Sequence, residues 1–252
     1  MVAVLRFARF FCLLGFLQFC NWHPGVRLPD PDPAQSAPTH ETWDALLKAH
    51  VSEDGMVDYQ GMLRDRDVLR DYLEMLSQHI PGEHWSREAR LAYYINLYNA
   101  GTVNLILEHY PVKSIKDIRN PWGRKDLQIG DKRVSLDDVE HGILRKMDEP
   151  RIHFTVNCAS FSCPKLLPEA FTEAEAERQL DEAARAFIND PLRNRIGKGD
   201  YALSRIFKWY GGDFKTTGRS LEAFLNTYLE EPLPEGARPE FLPYDWSLNS
   251  QR

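Results

Sequence analysis

The densest set of reactive side chains in the 252-residue chain lies between Glu140 and Cys163, and comprises Glu140, His141, Arg145, Arg151, His153, Cys158 and Cys163. A cysteine becomes a nucleophile when a nearby base takes its proton and a third group orients that base. On that logic Cys158 is the candidate nucleophile, His141 the base, and Glu140 or an asparagine the orienting group. Backbone N–H groups of the turn Ala159–Ser162 would serve as oxyanion donors. His153 is an alternative base. The same residues admit other readings. Cys158 and Cys163 can form a short-loop disulfide if their Cα atoms approach within about 7 Å. They can equally be buried thiols acting as small apolar groups. Metal ligation is the weakest reading, because C-x4-C with scattered histidines fits no standard zinc spacing. No metal and no cofactor is expected.

The flanking residues also divide between chemistry and support. Arg145 and Arg151 suit an anion, or ion pairs with Glu140 or Asp138. His141 lies one helical turn after Asp137, a spacing at which an imidazole finds a carboxylate. Asn96 and Asn99 sit one turn apart on an otherwise apolar helix. A buried amide left unpaired costs about 1–3 kcal/mol, so each needs a partner. They either bond the backbone around Cys158 or line a pocket. Trp209, Tyr210, Phe214, Tyr244 and Trp246 would make a platform for a sugar or peptide, although such residues more often belong to a core. A Gly-rich phosphate loop, a G-x-S-x-G elbow and an H-E-x-x-H pair are all missing from the sequence.

The elements that must position these groups follow from periodicity. Trp43, Leu46, Leu47 and Val51 predict one helix, and Leu69, Tyr72, Leu73 and Leu76 a second. The pattern from Ser86 to His109 predicts a long helix, apolar almost all round and stopped by Pro111. Residues 127–134 read as a hairpin turning at Gly130-Asp131. Ser135 and Asp138 have capping-box spacing ahead of a helix carrying Val139, Ile143, Leu144 and Met147. Residues 151–157 alternate in period two, predicting a strand with Ile152, Phe154 and Val156 on one face and His153 on the other. That parity would turn His153 away from Cys158. Ala174 to Ile188 reads as an amphipathic helix, and Ser220 as the cap of a last one running to Leu229. The class is α+β: a mainly helical single domain with a small antiparallel sheet.

Arg6 and Arg9 precede an apolar run of about ten residues that includes Cys12 and Cys20, which is the form of a signal peptide. The run is too short for a bilayer span, which needs about 20 apolar residues. The expected organisation is a signal peptide over 1–22, a Pro-rich linker over 23–40 and one domain over 41–249. A periplasmic or secreted protein follows, with a lipid anchor as the lesser alternative and no further transmembrane span. A net charge of −6 and a pI near 5.8 argue against nucleic acid as a partner. No other partner is indicated.

Four motifs in order resemble the family known as domain of unknown function 547. They are the string from Arg151 to Pro164, Tyr94-Ile95-Asn96-Leu97-Tyr98-Asn99-Ala100, the stretch from Ser135 to Arg145, and Tyr244-Asp245-Trp246-Ser247-Leu248-Asn249. The resemblance covers roughly residues 41–249. It implies a grouping with exported bacterial proteins and with plant proteins that lack signal peptides, and it carries no activity. Beside it, the residues themselves give two functional expectations. One is a thiol-dependent hydrolase or transferase of papain-like or transglutaminase-like chemistry and fold. The other is a non-enzymatic binding or scaffold module of the cell envelope with a structural Cys158–Cys163 disulfide.

Overall fold

A computed structural model describes residues 25–197, 200–215, 218–234 and 236–251. The basic and apolar N-terminal segment, with Cys12 and Cys20, lies outside the described residues, as do residues 23–24 of the Pro-rich stretch. The elements are α1 (Glu41–His50), α2 (Tyr59–Arg64), α3 (Arg66–Ser77), α4 (Arg87–His109), β1 (Leu127–Ile129), β2 (Lys132–Val134), α5 (Ala176–Ile188), β3 (Arg195–Gly197), β4 (Asp200–Leu203), α6 (Ile206–Trp209), α7 (Leu221–Leu225) and β5 (Glu240–Phe241). Between β2 and α5 lie only short irregular helices. The class is mixed α+β with small sheets. The β1–β2 pair is the expected hairpin, with Gly130 at φ 59° supplying the turn. The second sheet departs from expectation: β3 and β4 are antiparallel, but β5 joins β4 in parallel.

Helix α4 is the axis of the larger core. Ser86 accepts a hydrogen bond from the Ala89 N–H and fixes its start. Its aromatic and aliphatic side chains from Leu91 to Leu107 are buried, with α3 packed alongside and the Tyr93 hydroxyl donating to Leu76 O. Each such side chain contributes roughly 1.5–3 kcal/mol on burial. A second, phenylalanine-rich cluster gathers Phe154, Phe187, Phe207, Phe214 and Phe224 beneath α5 and α6.

The stretch from 25 to 40 has no helix or strand, but it packs along the body. Val26, Leu28 and Ala37 lie against the larger core, and Gln35 O accepts from Trp85 Nε1 and His84 Nε2. A Cβ on Gly142 would fall 2.6 Å from Val26 Cγ2, so any larger residue there would have to displace the Val26 side chain. His40, at its end, is buried with Nδ1 2.8 Å from the Tyr72 hydroxyl, and burial lowers its pKa to about 4.

The strand expected over 151–157 is not formed. Pro150–Phe154 is a 3-10 helix, started by Pro150 and by Glu149, whose carboxylate accepts from the Arg151 N–H. The alternating apolar residues serve two cores: Ile152 and Val156 enter the larger one, and Phe154 enters the phenylalanine cluster. His153 is therefore buried, and strand parity no longer governs where it points. Among the described residues no helix is long and apolar enough to cross a membrane.

Candidate functional site

Of the predicted residues, Glu140, His141, His153, Cys158 and Cys163 converge on a cavity of about 280 Å³. Its floor and sides come from the irregular segments: Asp137, Glu140 and His141 from one, and His153, Val156, Cys158, Cys163 and Pro164 from the next. Tyr98 of α4 lines it from behind. Trp122, Trp209, Tyr210, Tyr244 and Trp246 complete the wall. Phe214 alone of the five aromatics noted in the sequence is core. Trp209 is 45 % exposed at the rim, whereas Tyr244 is largely covered.

The Ser135 motif forms a reciprocal box. Asp138 N donates to Ser135 Oγ and Ser135 N to Asp138 Oδ2, while Lys125 pairs with the same carboxylate. The helix that follows, Asp138–Ile143, is a π-helix and then tightens into a 3-10 turn at Leu144–Lys146. The wider turn directs Glu140 inward and His141 toward Arg145. Such bulged turns recur at functional sites.

Cys158 and Cys163 are bonded to each other, with Cα atoms 6.3 Å apart. Ala159 between them sits at φ 56°, a left-handed conformation unusual for a residue with a Cβ. Cys158 is half-buried and Cys163 almost fully buried. The Cys158 sulfur lies 3.3 Å from Ser160 Oγ and 3.6 Å from the Tyr244 hydroxyl, which itself donates to Cys163 Sγ at 3.2 Å. Burial pushes the Tyr244 hydroxyl up to about 12.

His153 is held by a partner that the sequence did not indicate, and His141 is linked to the same partner through Arg145. Asp213 receives Arg145 through two hydrogen bonds, at 2.6 and 2.8 Å, and His153 Nε2 at 2.8 Å. Although burial opposes it, these donors hold the Asp213 carboxyl well below the usual carboxylate range. His153 also stacks on Tyr210, with ring centroids 3.9 Å apart. Arg145 Nη1 donates to His141 Nδ1 at 3.0 Å, and His141 Nε2 faces Asp137 at 3.8 Å. Nothing in the spacing marks Asp213, which lies 60 residues from His153.

Several roles expected from the sequence change here. Arg151 is not at the cavity, and its guanidinium is held by Glu149 and Glu177 rather than by Glu140 or Asp138. Arg145 takes Asp213. His141 offers its acceptor nitrogen to Arg145, so that nitrogen is not available as a base in this arrangement. Glu140 is turned toward Tyr98 and Tyr210, whose hydroxyls are raised by burial with Glu140 as a further cause. Three of the four expected oxyanion donors are already used. Ala159 N donates to Asn157 Oδ1, Phe161 N to Ser247 O and Ser162 N to Asp245 O. Asn96 and Asn99 support the backbone. Asn99 donates to Thr155 O and accepts from Asn157 N, and Asn96 does the same for Phe171 O and N. Among the described residues, no group of three or more His, Cys, Asp or Glu could hold a metal ion.

Residues 82–188 match the family described as protein of unknown function, DUF547. Three of the four motifs lie inside that stretch, and Tyr244–Asn249 lies beyond it. No curated protein and no solved structure matches the chain.

Proposed function

We propose that the cavity is the binding site of a non-enzymatic module, in which the Cys158–Cys163 disulfide is structural and the aromatic wall receives a small molecule or a side chain. The observation that carries this reading is the state of the catalytic parts. The sulfur is bonded, the acceptor nitrogen of His141 takes Arg145, and three N–H groups of the turn are paired, Ala159 with Asn157 and Phe161 and Ser162 with residues 245–247. What remains is a walled recess with an exposed tryptophan at its rim, the form in which ligand sites usually occur. The basic and apolar N-terminus and the disulfide both favour an exported protein, periplasmic or secreted, since disulfides persist in oxidising compartments. The test is ligand-observed NMR on the oxidised protein with a fragment set. Ligands should lose binding in Trp209→Ala and keep it in the Cys158→Ser/Cys163→Ser pair.

A second reading rests on one observation: the half-buried Cys158 lines the same cavity as His141 and His153. Reduction would free a thiol there for hydrolase or transferase chemistry of papain-like or transglutaminase-like kind. It requires that, after mild reduction, iodoacetamide labels Cys158 faster than Cys163 and that His141→Ala slows the labelling. Equal, slow labelling at both positions removes this reading.

A further inference from the structure

Glu140 is only 5 % exposed, yet its Oε1 has no hydrogen-bond partner among the described residues, and the side chain lines the cavity. A buried carboxyl oxygen left unpaired is costly, so its position calls for a donor arriving from outside. The Tyr98 and Tyr210 hydroxyls interact with this carboxyl, yet Oε1 remains unmatched with both in place. Arg145, whose guanidinium feels the Glu140 charge, is committed to Asp213 and His141. The cavity lining includes two carboxyl side chains, Asp137 and Glu140, and neither a lysine nor an arginine.

The walls point the same way. Trp209, Tyr244 and Trp246 form a continuous set of rings, with centroids 4.6 to 5.9 Å apart. Aromatic faces attract a cation within about 6 Å of the ring centroid. This cluster already does so once: the Lys116 ammonium rests 4.9 Å from the Trp246 centroid. An ammonium group supplies both requirements together, N–H donors for Oε1 and positive charge for the rings and carboxylates. Its carbon chain would lie against the tryptophans.

From Glu140 and this wall we infer that the cavity binds a primary alkylammonium group, with N–H donated to Glu140 Oε1. The inference rests on the binding-site reading above and names its ligand class. Such a group occurs both on free amines and on lysine side chains.

Calorimetric titration of the oxidised full chain tests it with butylammonium and its neutral counterpart 1-butanol. Butylammonium should bind saturably and at least tenfold more tightly than 1-butanol. Glu140→Gln should remove that preference, and Trp209→Ala should weaken both probes. Asp137→Asn, nearer the surface, should reduce the preference less and stands in if Glu140→Gln does not fold. Equal affinity for the two probes overturns the ammonium inference and leaves the binding cavity intact. Binding of neither probe overturns the inference, and if the fragment set also fails, the cavity reading falls with it. A capped lysine amide binding as well as butylammonium identifies a polypeptide side chain as the source, and binding of butylammonium alone identifies a free amine. Both of these support the proposal.

Discussion

Helix α4 and the stretch from Ser135 to Cys163 pack against each other, yet one backbone is regular and the other is not. The helix is regular for 23 residues, and its buried amides Asn96 and Asn99 each make two hydrogen bonds to backbone. The neighbouring stretch passes through a π-helix, two 3-10 turns and a positive-φ alanine, and it leaves Glu140 Oε1 and His153 Nδ1 without hydrogen bonds among the described residues. Regularity makes a frame, even though Arg90 Nε, Thr102 Oγ1 and Asn104 Oδ1 on it also lack hydrogen bonds among the described residues. The irregular stretch beside it is the one whose unmatched groups line a cavity. Asn99 connects them, since it holds the backbone on either side of Val156.

The sharpest way to break the comparison is to cut that connection. Asn99→Ala orphans the Thr155 carbonyl and the Asn157 N–H, at about 1–3 kcal/mol each. A denaturation midpoint should fall accordingly, with the cavity disordering alongside the frame. Acid should separate the two regions. Burial holds His40, on the frame side, neutral with a folded pKa of about 4 against 6.5 unfolded. Its contribution is full above pH 6.5 and lost as pH falls through about 4, a change of ~3 kcal/mol. His40→Phe should flatten that slope in far-UV circular dichroism melts. Asp213, on the cavity side, has its pKa depressed from 3.8, so its contribution is full above that value and lost only at lower pH. Tryptophan fluorescence should report that later loss.

Replacing both Cys158 and Cys163 by serine releases a short loop and should cost ~2 kcal/mol on the chain-entropy account. The helical spectrum should persist, because the bond lies in the irregular stretch. Trp209→Ala should cost least, under about 1 kcal/mol, since the ring is 45 % exposed. Its effect should appear in ligand binding. A large stability loss there would mean that the rim is frame after all.

How far the sequence carried depends on the same division. The long helix, the hairpin at Gly130-Asp131, the Ser135–Asp138 box and the cap at Ser220 were legible, because each rests on local periodicity or on a side chain bonding its own neighbourhood. The strand over 151–157 misread a segment shared by two cores, where Phe154 faces one cluster while Ile152 and Val156 face another. The last helix is shorter than its pattern, Leu221–Leu225, with Ser220 as its cap. In the site, proximity in sequence found the cysteines, Glu140 and His141. It could not supply Asp213, Trp122 or Tyr98, which arrive from other parts of the chain and share no spacing with the motif. It also overvalued Arg151, whose partner Glu149 is two residues away.

The segment from Tyr244 to Gln251 has a consequence for how the molecule comes into being. Asn249 hydrogen-bonds Gly55 across 194 residues, Gln251 reaches Met56 across 195, and Tyr244 meets Ser160 across 84. These contacts close very long loops, whose entropy must be overcome before they return any stabilisation. A chain made from its N-terminus has the sequence of α1 to α4 in hand before this strip exists. Without the strip, Tyr244 and Trp246 are missing from the wall and the recess is open on that side. The last residues of the chain thus complete a recess whose other walls are laid down from residue 98 onward.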